Sequence, residues 1–461
     1  MSPLSRAPAV EAGSFRDPDS RVFLRDGAVY RALSRAGWED WEALAATPLA
    51  GDDRLIATEP VALEDLPELT GEPAAGALRH ERVPFVSHPY EWPFSMLKDA
   101  ALLQLQLGRE ALAHDLTLKD ASPYNVQWRG AEPVFIDVGS FERLRPGEPW
   151  AGYRQFCMLF LYPLMLQAYR GVPYHAWLRG SIDGISPAEA RGLLPRLRRG
   201  VFAHVVLHAR LEARYADAGG REVKGELKRA GFRKELLDAN LRRLEKLVGR
   251  LEYRPGRTAW TDYRSTSTYS DDEARRKAEF VRAAAARRPG GLTWDLGCND
   301  GTYSRVAAEH ADHVVAIDAD HATVDGLYRA LRGRGEILPL VMSVTDPSPD
   351  LGWRGRERAS LERRGTPDLV LALALVHHVV ITGNVPVTEF LDWLRSLDCA
   401  LVIEFPDRED PMVQRLLSGK TDTANPDYDR ATFERALGDR FEIDGTERLG
   451  TRTLYEAHPR A

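Results

Sequence analysis

The sequence predicts an α/β protein built from two different architectures. A doubly wound parallel sheet with an antiparallel terminal edge fills the C-terminal half, preceded by an α+β domain whose second lobe is largely helical. Three observations predict this. Beyond residue 290, five short apolar runs alternate with helical patterns, the signature of strands joined by crossover helices. The last two runs follow each other across a short turn with no helix between them. From Ala151 to about Leu251 apolar residues recur at helical spacing almost throughout.

Taken in order, the first 19 residues read as a frayed, flexible N-terminus. "RVFLRDGAVYRAL" alternates around Asp26-Gly27, the preferred chemistry of a two-residue hairpin turn. "WPFSMLKDAALLQLQLGREAL" carries a helix with Pro93 suited to its first turn. "PVFIDVGSF" is a short strand running into a loop. The stretches "PAEARGLLPRLRRGVFAHVVLHARLEARYA" and "KELLDANLRRLEKLVGRLEY" continue the helical lobe. The character changes after Arg254-Pro255-Gly256, which divides a domain over 20–255 from one over 256–461. "TAWTDYRSTSTYS" is a polar lead-in to a helix with an acidic first turn, matched to the positive end of its dipole. Strands are expected at 292–296, 314–318, 337–341, 369–375 and 400–405, with helices near 304–311, 322–332 and 387–397. Strands near 441–444 and 451–457 close the edge.

Composition bounds the function. The chain has 461 residues, 44% hydrophobic and 28% charged, with a formal net charge of -6, which argues against a general nucleic-acid binder. The three cysteines, Cys157, Cys298 and Cys399, have no metal spacing and read as reduced thiols of a cytoplasmic protein. No metal ligand set is expected. "FCMLFLYPLML" is too short for a membrane span and contains Pro163; it reads as a buried helix.

The most informative stretch is "TWDLGCNDGTYSRV". A strand ending at Asp295 runs into a loop bearing Gly297 and Gly301, where a dinucleotide fingerprint would carry a further glycine in place of Asn299. Asp318, ending the next strand, follows Gly297 by 21 residues, close to the spacing of about 20 at which a carboxylate meets ribose hydroxyls. A pyrophosphate is poorly served by Asp295 and Asp300 on its loop, whereas a ligand with a cationic amino end is well served. S-adenosylmethionine fits both requirements. "DLGCNDG" followed by "VVAIDAD" resembles motifs I and II of class I S-adenosylmethionine-dependent methyltransferases, whose Rossmann-like strand pattern matches 292–457. The resemblance implies that Asp295, Gly297, Cys298, Asn299 and Gly301 cradle the cofactor, Asp318 binds its ribose and Asp346 lies near its adenine. S-adenosylhomocysteine is the implied product.

"PDLVLALALVHHVV" places His377 and His378 beyond the fourth strand, at the rim where open α/β sheets bind ligands. A histidine there can take a proton from an acceptor during methyl transfer; the competing reading has one capping a helix and the other packing. Glu404, ending the fifth strand, is a further catalytic candidate, to orient a histidine or bind substrate. "MVQRLLSGKTDTANPDYD" reads as a long loop that covers substrate or stays a passive surface.

In the first half, Asp120 and Asn125 have the D-x-x-x-x-N spacing of a phosphotransferase catalytic loop, and Asp137-Val138-Gly139 stands where those enzymes carry a metal-binding D-F-G. The stretch resembles the large lobe of an aminoglycoside-phosphotransferase-like or protein-kinase-like fold, which implies a Mg-ATP site at these three residues. The front half departs from that pattern. It has no G-x-G-x-x-G, and the first lysine is Lys98. Arg31 is the nearest substitute for the missing phosphate-pairing lysine, and the two are not equivalent.

Across most of its length from about residue 20, through "HPYEWPFSMLKD", "LKDASPYN", "FIDVGSFE", "DLGCNDG" and "ALVHHVV", the chain resembles a group of long bacterial methyltransferases, some nodulation-associated. The expected function is O- or N-methylation of a small-molecule or glycan acceptor of specialised metabolism, with the kinase-like domain as substrate-binding or scaffold module. The alternatives are a bifunctional kinase-methyltransferase and a non-catalytic protein that senses S-adenosylmethionine. The sequence leaves the oligomeric state open.

Overall fold

The computed structural model describes residues 9–64, 66, 67, 69, 73–194, 202–207, 233–255, 270–418, 420 and 428–460. They form two compact units. The first comprises residues up to 128, 133–254 and 350–358; the second comprises 129–132, 255–349 and 359–461. Residues 350–358, in sequence part of the C-terminal half, thus belong to the first unit, and residues 129–132 to the second.

The first unit opens with an antiparallel sheet of β1 (Ala9–Val10), β2 (Ser20–Arg25), β3 (Ala28–Leu33), β4 (Thr58–Val61) and β5 (Gly76–His80), in the order β1-β2-β3-β5-β4. From Ala9 onward the N-terminal segment is therefore not frayed: Ala9 and Val10 pair with Leu24 and Phe23. Asp26 and Gly27, with φ of 50° and 77°, make the β2–β3 hairpin turn, both in the left-handed region such a turn requires. Helix Phe94–Ala113 is the spine of this unit, with most of its side chains buried; Pro93 is its N-cap, one position before the expected one. β6 (Leu116–Leu118) pairs with β9 (Phe141–Arg143), and β7 (Val126–Arg129) with β8 (Glu132–Phe135). The stretch 133–141 is a short strand, β8, running into the turn Val138–Ser140, with β9 starting at Phe141.

"FCMLFLYPLML" is wholly buried, as a π-helical turn Cys157–Leu161 leading into helix Tyr162–Arg170 with Pro163 in its first turn. No described helix is long and apolar enough to cross a membrane. Helix Lys234–Gly249 buries Leu237, Leu241, Leu244 and Val248. It is tied to the spine by Arg109, which reaches Asp238 at 3.1 Å and Glu245 at 2.7 Å. The expected helical stretch over 208–232 and the polar lead-in over 256–269 lie outside the described residues.

The second unit is a seven-stranded sheet. Its strands are β10 (Leu292–Leu296), β11 (His313–Asp318), β12 (Ile337–Val341), β13 (Leu369–Ala372), β14 (Ala400–Pro406), β15 (Phe441–Leu449) and β16 (Arg452–Pro459), in the order β12-β11-β10-β13-β14-β16-β15. The first five are mutually parallel, and β16 runs antiparallel to both β14 and β15. This is a Rossmann-like doubly wound sheet. Strand order reverses between β10 and β13, the position at whose carboxyl ends open α/β sheets bind ligands. β13 is shorter than expected, because the chain turns at Leu373-Ala374 with Ala374 at φ 50°. The two last strands are longer than expected, and β16 is the inner one. β15 lies at the edge and is buried only at its ends, Phe441 and Leu449, while β16 is buried for six residues.

Candidate functional site

The loop after β10 shows how this turn manages without the extra glycine. Gly297, Asn299 and Gly301 have φ of 78°, 49° and 74°. All three are left-handed, a conformation asparagine tolerates better than most residues. Gly297 packs against Leu375, the residue two places before His377: a Cβ added at Gly297 would lie 3.2 Å from Leu375 Cδ1. The loops after β10 and β13 therefore close on each other at the reversal point. Asp318 ends β11 with its carboxylate accepting from the backbone N–H of Asn299 at 3.0 Å and of Asp320 at 2.9 Å. Burial raises its pKa and those two N–H groups oppose the rise. Four acceptor sites on a carboxylate leave capacity beyond two backbone donors.

The other two acids of the motif are spent on the protein. Asp295 is 2% exposed and accepts from Ser304 Oγ at 2.6 Å. Burial pushes it up to about 6. Asp300 accepts from Thr302 N and Oγ1, at 3.2 and 2.7 Å, at the start of helix Thr302–Ala307. Asp295 is thus a residue that shapes the loop, which corrects the expectation that it faces a ligand. Cys298 is buried, its thiol pushed well up by burial and by Asp318 and Asp295; its backbone N–H donates to the Ile317 carbonyl at 2.9 Å and its thiol to the Asn299 carbonyl at 3.7 Å. Asp346 is exposed, in the turn after β12 on the same edge of the sheet.

His377 and His378 lie beyond β13, as expected, but in a helical turn and further from the strand end than the apolar run suggested, because β13 stops at Ala372. His377 is 0% exposed, and neither ring nitrogen has a partner among the described residues. Burial, His378 and Arg452 push it far below the usual imidazole range. His378 is only partly buried and is pushed down to about 4 by burial and by Arg452. Of the pair, His378 is the one a ligand can touch.

Glu404 is likewise not at an open rim. It is fully buried in β14, with Lys277 Nζ at 2.7 Å and Arg452 Nη1 at 3.8 Å. Arg452, on β16, also forks onto Asp410, with Nε at 2.7 Å and Nη2 at 3.2 Å. Lys277 lies over the Tyr303 ring at 4.6 Å. Burial lowers the Lys277 pKa and Glu404 opposes the drop. The network Lys277–Glu404–Arg452–Asp410 was not foreseen from sequence. Lys277 is one cation among many in "DDEARRKAEFVRAAAARR", and only its helical register with Val281 and Ala284, both buried, marks it.

In the first unit Asp120, Asn125 and Asp137 come together, but not around a metal. Arg31 Nη1 stands 2.8 Å from Asp137 Oδ1, and Ser140 Oγ donates to Oδ2 at 2.5 Å. Asn125 Nδ2 donates to the same hydroxyl at 3.0 Å. Burial pushes Asp137 up, but Arg31, Ser140 and Lys119 outweigh it and hold the carboxyl below its ordinary range. Asp120 is raised by burial and then by Asp137. A guanidinium and a hydroxyl occupy both carboxylate oxygens, so these residues as placed do not fit Mg²⁺. No group of three or more metal-ligating side chains occurs among the described residues.

Fold and site together define a two-unit protein whose C-terminal unit is a Rossmann-like sheet with its strand order reversing between β10 and β13. No family model matches the chain. The chain belongs to the family of the nodulation protein NoeA of Rhizobium meliloti (strain 1021), with which it shares 32% identity over 458 residues, 97% of this chain and 96% of that protein. Among solved structures it is similar to the magnesium protoporphyrin IX methyltransferase ChlM of Synechocystis PCC 6803 with bound SAH. The identity is 19% and the TM-score 0.31, over 45% of this chain and 91% of that one. It is also similar to the N-methyltransferase NodS of Bradyrhizobium japonicum WM9, at 9% identity and TM-score 0.31 over 42% of this chain and 99% of that one.

Proposed function

We propose that the protein is an S-adenosylmethionine-dependent methyltransferase acting on oxygen or nitrogen of a small-molecule or glycan acceptor in bacterial specialised metabolism. The observation that carries this is the left-handed loop Gly297–Gly301 set against Asp318 at the reversal of strand order. Asp318 would accept from the ribose hydroxyls, and the backbone at Gly297 and Gly301 would border the cofactor, with Asp346 on the adenine side. Bound S-adenosylmethionine would supply an electrophilic methyl group on a sulfonium. The protein's own part is to align the acceptor with that methyl and to receive the acceptor's proton at a His378 ring nitrogen. His377, sealed and unpartnered, would position His378. Glu404 with Lys277 and Arg452 would hold the ends of β14 and β16 rigid behind them.

The first unit is read as a kinase-like module that has lost phosphoryl transfer and binds or orients the acceptor. Arg31 on Asp137 supports that over the bifunctional alternative. The test is calorimetric titration of S-adenosylmethionine into the full chain, alongside methyl transfer into acceptor pools. Asp318→Ala should weaken cofactor binding at least about tenfold, the loss of a charge-assisted hydrogen bond. Unchanged affinity, or no S-adenosylhomocysteine from any pool, would refute the proposal; binding without turnover would point to a sensor instead.

A further inference from the structure

The first unit holds a cleft of about 400 Å³ beside the Asp120–Asn125 loop, a volume suited to a small polar ligand. Arg16, Arg154 and Arg358 line it, together with Tyr124 and Asn125. Its acids are Asp183, exposed at the rim, and Glu357, whose carboxylate is engaged by Arg16.

Arg358 is the unusual member. It is 6% exposed and makes no ion pair among the described residues. Its Nη1 reaches only neutral acceptors, the Tyr124 hydroxyl at 3.3 Å and the Leu178 carbonyl at 3.4 Å. Its Nε has no partner, and the Tyr90 ring lies 5.9 Å from its Cζ. A buried guanidinium whose hydrogen-bond acceptors are neutral and long, and which meets the Glu357 carboxylate only through space while Arg16 holds that carboxylate, is unfavourable until an anion joins it.

The chain goes to some length to place this charge. Arg358 comes from the segment between β12 and β13 of the second unit, yet residues 350–358 belong to the first. Gly352, Arg354 and Gly355 all have left-handed φ, of 83°, 56° and 66°. A bridge from Leu351 to Arg358 closes the loop, and Glu357 accepts from Trp353 N at 2.5 Å. A non-glycine residue in that conformation is strained, and the loop delivers Arg358 to the cleft.

We propose that this cleft binds the oxyanion group of a polar small molecule, with Arg358 as its central cation and Arg16 and Arg154 at the rim. A guanidinium offers paired N–H donors that match two oxygens of a phosphoryl, sulfuryl or carboxylate group. Tyr124 and Asn125 would serve the neutral polar part of the same molecule. The identification of that molecule as the methyl acceptor rests on the reading of the first unit as the acceptor module; the oxyanion site itself does not.

The test is calorimetric titration of inorganic phosphate and of acetate into the full chain at constant ionic strength, for the native protein, Arg358→Gln and Arg358→Lys. We expect binding tighter than about 10 mM, weakened about tenfold or more in Arg358→Gln and by less in Arg358→Lys, which keeps the charge but not the paired donors. A preference for phosphate or for acetate separates a tetrahedral from a planar oxyanion. Far-ultraviolet circular dichroism and S-adenosylmethionine affinity report whether each variant is folded. If Arg358→Gln does not fold, the concentration dependence of the native melting temperature on phosphate, set against chloride, decides the matter. Failure of the native protein to bind either anion, or equal binding by Arg358→Gln, overturns the proposal and leaves acceptor binding elsewhere in the first unit intact. Anion binding at Arg358 with methyl transfer unaffected in Arg358→Gln would keep the oxyanion site and refute the acceptor-module reading.

Discussion

The Lys277–Glu404 pair gives the sharpest test of how the second unit is held together. Lys277→Met would leave Glu404 fully buried, with Arg452 Nη1 at 3.8 Å as its nearest cation. Arg452 cannot move closer without giving up its 2.7 Å and 3.2 Å bonds to Asp410. Breaking a buried pair in this way costs about 3–5 kcal/mol, which corresponds to about two to four orders of magnitude in local opening. Replacing both partners, Lys277→Met with Glu404→Leu, removes the stranded charge while Arg452 stays paired with Asp410. The double variant should therefore recover most of the loss, with a coupling energy of about 2–4 kcal/mol. A chain of two units has no single unfolding free energy. The assay is accordingly hydrogen exchange of the backbone amides of residues 400–406, which reports the local opening of β14. Acceleration of less than about tenfold in Lys277→Met, below about 1.4 kcal/mol, would refute the reasoning. So would a double variant that loses the sum of the two single effects.

Three further outcomes follow from the same geometry. The folded pKa of Asp295, about 6, lies above its ordinary 3.8, so its contribution to stability is complete below about pH 3.9 and is lost as pH rises through 6, about 2–3 kcal/mol in all. His378, lowered to about 4, works in the opposite sense, adding stability as pH rises from about 4 to 6.5; Asp295→Asn, which removes the opposing contribution, should therefore make stability rise more steeply with pH over this window, and an unchanged profile by hydrogen exchange of the second unit would count against the Asp295 assignment. Gly301→Ala places a Cβ 2.6 Å from Leu327 Cδ1 at φ 74° and should destabilise the unit by roughly 2–4 kcal/mol, seen as faster exchange across the loop; a neutral substitution would mean the loop is not held as described. Mg-ATP titrated into the native chain should give no heat of binding, because Arg31 and Ser140 occupy Asp137; micromolar binding abolished by Asp137→Ala would show that the guanidinium gives way to metal.

Legibility followed the range of the interactions. β10 to β14 could be read because strands buried on both faces are continuous apolar runs, and the two histidines were found because the run stops there. Their true setting could not be read: Leu373 to Leu375 are as apolar as the strand before them, and only the left-handed Ala374 tells where β13 ends. β15 was cut short because "GTERL" carries charges on its exposed side and its register shifts between Ile443 and Gly445, so the alternation looks like the start of a loop. Arg31 could be singled out from the missing lysine, but not that it pairs with Asp137, more than a hundred residues later. Residues 350–358 left no trace at all in the local pattern, since what defines them is contact with the first unit.

The distribution of charge between the two candidate sites constrains the chemistry more than either motif does. Asp295 and Asp300, the acids that made a cationic ligand attractive, are bound by Ser304 and Thr302, so the case for S-adenosylmethionine rests on Asp318 and on the shape of the loop, not on acidity around an amino group. On the proposed reading, His378 has to act as a base from a pKa near 4. Such a base cannot hold an appreciable fraction of an alcohol in its ionised form before reaction. It can receive a proton once the nucleophile has begun to bond to the methyl carbon and has itself become acidic. That order of events suits an acceptor already nucleophilic when neutral, such as an unprotonated amine, better than an unactivated hydroxyl. The low pKa comes from burial and from Arg452, whose position is fixed by Asp410 and Glu404. The buried ion-pair network, silent in the sequence, thus helps to set which acceptors His378 can serve.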